Sequence, residues 1–185
     1  VKLDDDTHYR LVSVRRRSGG LFDREVRKGC DIGYPRLKAI KTGDLVIARR
    51  QILHGAMTMA PEEFDGAFVS DAYCTLVPRD GGEFHMPFFN YLSQTPSMYY
   101  KAFRCSYGVA IEKMFFNLKW FLNEVITLPP SVEEQVQITS TLKCLDDEIE
   151  SLRRQLEAFK AQKMGLMQKL LTGQIRVNTK EVPHG

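Results

Sequence analysis

One stretch constrains this chain more than any other. Residues 128–177 read LPPSVEEQVQITSTLKCLDDEIESLRRQLEAFKAQKMGLMQKLLTGQIRV, with no proline after Pro130. Pro129-Pro130 break whatever element precedes them. Ser131 and Glu134, three residues apart, form a capping box at a helix start. Gly173 follows Leu170-Leu171 and reads as a stop signal. The spacing predicts one helix of about forty residues, roughly 60 Å long at 1.5 Å per residue. Few globular domains need a helix of that length, so it reads as a spacer.

The helix carries a narrow apolar seam. Ile138, Leu142, Leu145, Ile149, Leu152, Leu156, Phe159, Leu166 and Leu170 alternate at steps of four and three, and Lys163 interrupts the run. A sustained a/d pattern of this kind predicts a coiled coil, because a helix lying on a globular core buries a broader stripe. The competing reading is a solvated helix laid on its own domain. Charge is sorted along the helix: Glu133, Glu134, Asp146, Asp147, Glu148 and Glu150 come first, and Arg153, Arg154, Lys160, Lys163 and Lys169 follow. That polarity suits the helix dipole and an antiparallel partner of the same polarity.

The remaining length allows one globular domain, residues 1–128, ahead of the helix at 129–177 and a flexible tail at 178–185. The chain opens on Val1 rather than an initiator Met, which leaves room for residues upstream. No apolar run reaches the ~18 residues of a membrane span. Cys30, Cys74, Cys105 and Cys144 are widely separated, as are the four histidines. No metal site is expected from that spacing, and reduced thiols in the cytoplasm are the simplest reading.

Residues 1–128 read as a mixed α/β fold of the α+β class. Strands are expected at residues 9–14, 44–48, 67–70 and 73–77, the last ended by Pro78 and Gly81-Gly82. Met86-Pro87 opens a helix through Phe88, Phe89, Tyr91 and Leu92. Pro96 interrupts it, and Ser97 is expected to cap a second helix through Met98, Tyr99 and Phe103. The aromatics of 84–103 have helical spacing and are expected in the core.

The helical region resembles the specificity subunit of type I restriction-modification systems. The resemblance rests on Leu128-Pro129-Pro130, Glu134-Gln135 and Ile138, then the amphipathic helix, then Gly165-Leu166-Met167-Gln168-Lys169-Leu170-Leu171-Thr172-Gly173. It covers about fifty residues closely. Gly43-Asp44-Leu45-Val46-Ile47-Ala48-Arg49, Val69-Ser70 and Ser106-Tyr107-Gly108-Val109 match looser landmarks in the same order. In that family a target recognition domain precedes a conserved helix, and the pair occurs twice in a full subunit. One copy of each implies half a subunit, dimerising through antiparallel helices. The resemblance further implies double-stranded DNA with a bipartite target, a methyltransferase subunit and, through it, a restriction subunit as partners. S-adenosylmethionine, ATP and Mg would belong to those partners, and this chain would bring no cofactor of its own.

Charge fits a polyanion partner. Residues 7–54 hold twelve Lys and Arg against four Asp and Glu. Two segments are candidates for DNA contact. Arg15, Arg16 and Arg17 follow a strand and enter the turn Ser18-Gly19-Gly20. Arg49, Arg50, Gln51 and His54 follow the 43–48 strand. Arginine contacts phosphate or pairs with guanine, and glutamine reads adenine edges. Lys28, Arg36, Lys38 and Lys41 are weaker candidates for phosphate. No catalytic residue is assigned: the Asn/Asp-Pro-Pro-Tyr/Phe signature of amino-methyltransferases and the Walker A sequence are both absent. The competing functions are a dimeric coiled-coil scaffold whose globular domain binds protein, and a fragment of a nuclease or methyltransferase.

Overall fold

The computed structural model describes residues 1–33, 35–79, 84–110 and 113–177. Gly81-Gly82 and the tail 178–185 lie outside these residues. The chain divides into two compact units, Val1–Thr139 and Ser140–Gly185.

The first unit begins with strand β1 (His8–Val14), whose alternation is visible in its contacts. Tyr9 and Leu11 point into one apolar cluster, and Val12 and Val14 into another. Strand β2 (Leu21–Lys28) pairs antiparallel with β1, and the register shifts between Leu11 and Val12. β2 has no counterpart in the sequence expectation. It is an edge strand with only Leu21 buried, so its charged run shows no hydrophobic alternation. The short strands β3 (Leu37–Ala39), β4 (Leu45–Ala48), β5 (Met57–Met59), β6 (Phe68–Ser70) and β7 (Tyr73–Leu76) follow. One sheet runs in the order β2-β1-β6-β3 and a second in the order β5-β4-β7.

β4 is the central element. All four of its residues are buried. Leu45 and Ile47 enter a core shared with the helices, while Val46 and Ala48 enter the core shared with β1. A period of two with both faces apolar is what a fully covered strand requires.

Helices α1 (Met86–Leu92) and α2 (Pro96–Arg104) lie where proline spacing placed them. Ser97 does not cap α2. Thr95 holds the cap position in extended backbone, and Pro96 enters as the first helical residue. The residue before a proline is excluded from helical backbone, and proline needs no N–H partner at that position. Phe89 is core, but Tyr100 and Phe103 are exposed, so the aromatics of 84–103 are only partly interior. The hairpin β8 (Ser106–Tyr107) and β9 (Phe115–Phe116) and the short helix α3 (Leu118–Leu122) complete the unit. The side chain of Asn117 caps α3 by accepting from the Trp120 amide at 3.2 Å.

Helix α4 (Val132–Leu171) runs for 40 residues. The Ser131 hydroxyl accepts from the Glu134 amide at 3.1 Å, which is the capping bond expected at its start. At its end Gly173 adopts φ 74°, and the Ile175 amide reaches back to the Lys169 carbonyl. The first two turns belong to the globular unit. Gln135 is fully buried; its side chain accepts from the His85 amide at 2.9 Å and donates to the Pro129 carbonyl at 3.4 Å. The Glu134-Gln135 pair of the helix motif is thus partly a structural clasp.

Candidate nucleic-acid interface

The β1–β2 turn, residues 15–20, closes with the Arg15 amide donating to the Gly20 carbonyl at 2.9 Å. Within it Arg17 and Ser18 both adopt positive φ, 55° and 53°. Neither is glycine, so the turn costs on the order of 1–3 kcal/mol per residue unless neighbours hold it. They do. The Arg17 amide donates to the His54 carbonyl at 2.6 Å and the Ser18 amide to the Gly55 carbonyl at 2.9 Å. The two segments singled out separately in the sequence are therefore one hydrogen-bonded surface.

Tyr99 of α2 lies beneath the junction. Its hydroxyl bonds the Ser18 hydroxyl at 2.8 Å. Its ring fills the space where a Cβ on Gly55 would stand, and Gly55 itself has φ 70°. Only glycine fits there, both for backbone conformation and for room. The 3-10 turn Ile52–His54 plugs Ile52 into the core below. Rigid elements thus present the polar ends of both loops outward.

Arg15, Arg16, Arg17, Arg49 and Arg50 are exposed, and Gln51 and His54 are partly so. Arg15 lies over the Phe22 ring, 4.9 Å from its centroid. The Arg16 guanidinium donates to the Gln51 amide oxygen at 3.4 Å, a weak bridge that links the loops at side-chain level. The weaker candidates are dispersed. Lys28 pairs with Asp6 at 2.8 Å, and Lys38 donates to the Tyr73 carbonyl at 2.7 Å. Arg36 bridges to Lys2 in the backbone, away from the loop pair in sequence and sheet.

One group of side chains escaped the sequence reading. Tyr107, Phe115 and Trp120 stand exposed on the β8–β9 hairpin and α3. They come from three short elements with no common period, so nothing in their spacing announces them.

The apolar seam of α4 is open. Ile138 and Leu142 are half-buried, whereas Leu145, Ile149, Leu152, Leu156, Phe159, Leu166 and Leu170 are exposed. Among the described residues no group of three or more His, Cys, Asp or Glu is placed to hold a metal ion. No described helix is long and apolar enough to cross a membrane.

Three comparisons bear on this arrangement. Residues 27–160 match the model of the type I restriction modification DNA specificity domain. The fold resembles the HsdS subunit from Thermoanaerobacter tengcongensis, with a TM-score of 0.65 and 18% identity over 98% of this chain and 46% of that one. It also resembles a chain solved for the structural basis of complex assembly and conformational transition of the type I R-M system, with a TM-score of 0.60 and 21% identity, again over 98% and 46%. The chain spans under half the length of these solved chains. No curated protein matches it.

Proposed function

The chain belongs to the family of type I restriction modification DNA specificity domains, and from that premise we propose that its globular unit reads a DNA sequence through the two joined loops. The observation that carries this reading is the docking of residues 15–20 onto residues 51–55. It brings the Arg15–Arg17 turn against the turn that follows Arg49 and Arg50, with Arg16 reaching Gln51. Arg49 and Gln51 are assigned to base edges, because they leave the end of the buried strand β4 on a braced turn. Arg15, Arg16 and Arg17 are assigned to phosphates.

In this reading the chain is the non-catalytic address of a complex. It directs a methyltransferase subunit, and through it a restriction subunit, to a bipartite target in cytoplasmic DNA. S-adenosylmethionine, ATP and Mg are the business of those partners. The open seam of α4 pairs antiparallel with the same seam of a second copy, so that Asp146 to Glu150 meet the basic stretch Arg153 to Lys163. A two-fold pair then supplies one recognition unit for each half of the target. Exposed ion pairs add little, so the leucines carry the affinity and the charges set direction.

Selection from a random duplex library with the assembled methyltransferase complex tests the DNA reading. Wild type should return a defined motif. Replacing Arg49 or Gln51 by alanine should relax it at particular positions, by about 1–3 kcal/mol per lost bidentate contact. Arg17→Ala should weaken all duplexes alike and reduce the salt slope by about one unit. Variants that select and bind as wild type does would remove these loops from the interface.

A further inference from the structure

Tyr107 and Phe115 face each other across the β8–β9 pair, with ring centroids 5.9 Å apart and planes within 29°. Trp120 lies 6.0 Å from Tyr107. Tyr107 is 53% exposed and Phe115 is 68% exposed, whereas the next residue, Phe116, is core. These rings are not spare core residues. Tyr107 and Phe115 line an open cleft of about 750 Å³ together with Arg49, Arg50 and Lys113, and Asp71 is the one acidic residue among the described lining residues. The volume falls within the roughly 300–1,000 Å³ of small-ligand sites.

Aromatic faces beside three cations match a nucleotide, which offers a π-face and a phosphate. We propose that this cleft holds an unstacked nucleobase of a DNA strand, with the base against the rings of Tyr107 and Phe115 and flanking phosphates on Arg50 and Lys113. A duplex presents base edges rather than faces, so the occupant is a base out of the stack. Two observations favour nucleic acid over a protein surface: the three-to-one excess of cations among the described lining residues, and the continuity of Arg49-Arg50 with Gln51 on the joined loops. The inference rests on the proposal that those loops meet DNA, and it adds a second contact beside them.

Trp120 is the chain's only tryptophan and so reports on its neighbour Tyr107. Titration of the full chain with oligothymidylate of about eight nucleotides should give saturable quenching of its fluorescence. Tyr107→Ala and Phe115→Ala should each weaken binding by about fivefold to a hundredfold, the range of one lost base stack. Tyr107→Phe should keep the affinity, because the ring face remains. Both alanine variants remove exposed side chains, and an unchanged unfolding midpoint verifies that they fold. Absence of saturable quenching, or alanine variants that bind within about twofold of wild type, overturns the proposal. So does a Tyr107→Ala variant that keeps the oligonucleotide but loses the methyltransferase subunit on co-purification, since that assigns the rings to protein contact. Duplex discrimination by the Arg49 and Gln51 variants is a separate assay. A protein that still discriminates but binds no oligonucleotide therefore overturns the cleft alone.

Discussion

Ile47 and Ile149 are the same residue in opposite circumstances. Ile47, in β4, is 0% exposed and packed among strands and helices; Ile149, in α4, is 45% exposed. The first unit buries Ile47 and the rest of its three apolar clusters with its own chain. Along α4 the seam residues Leu145, Ile149, Leu152, Leu156, Phe159, Leu166 and Leu170 are exposed. A seam of that length is larger than the apolar patches monomers usually expose. The first unit thus has a core of its own, whereas the seam of the helix is the surface that the proposed pairing would cover.

Truncating each isoleucine in turn tests that contrast. Ile47→Ala should cost about 2–5 kcal/mol in urea denaturation of the globular unit, as deletions in packed cores do. Ile149→Ala should leave that transition within about 0.5 kcal/mol, as surface changes do, and act instead on self-association. A large effect of Ile149→Ala on the globular transition would show that the helix folds onto the first unit.

Gly55→Ala probes the junction of the two loops. The added methyl must displace the Tyr99 ring, and alanine is strained at φ 70°. A loss of about 1–3 kcal/mol is expected, with weakened duplex discrimination in the assembled complex. Loss of stability with discrimination intact would mean that the docking of the loops is structural only.

The smallest expected effect lies at Glu124. Its carboxylate accepts from the Lys101 ammonium at 3.0 Å and lies 3.8 Å from Arg104, tying the segment after α3 to α2. The Lys101 hydrogen bond, helped by Arg104, holds this carboxyl below its ordinary value of 4.5. A carboxyl depressed in the folded state adds stability above its unfolded value and loses it as pH falls through the folded one. Glu124→Gln should therefore destabilise the unit at neutral pH, and the gap to wild type should close in acid below 4.5. An equal gap at both ends of a pH series of unfolding curves would remove the ion pair as its cause.

Legibility followed periodicity. β1, β4 and α4 were visible because alternation, two-sided burial and the heptad each leave a repeating mark. β2 was not, because an edge strand of charged residues leaves none. The basic loops were legible as composition, since arginines beside Gly19-Gly20 and after a strand stand out. Their union was not. It depends on backbone bonds from Arg17 and Ser18 in a conformation that these residues rarely adopt, and on Tyr99, some eighty residues along the chain from Ser18. The exposed rings of Tyr107, Phe115 and Trp120 look like core residues in a sequence, and only the fold turns them outward.

The central contrast is tested most directly by the mass of the protein in solution. Light scattering after size exclusion, at a concentration on the order of tens of micromolar where a specific pair is populated, should give twice the 21.2 kDa of one chain. Ile149→Asp with Leu152→Asp should return the mass of a single chain while the globular unit unfolds as in wild type. A wild-type mass of one chain, with the seam residues still exposed, would contradict the account.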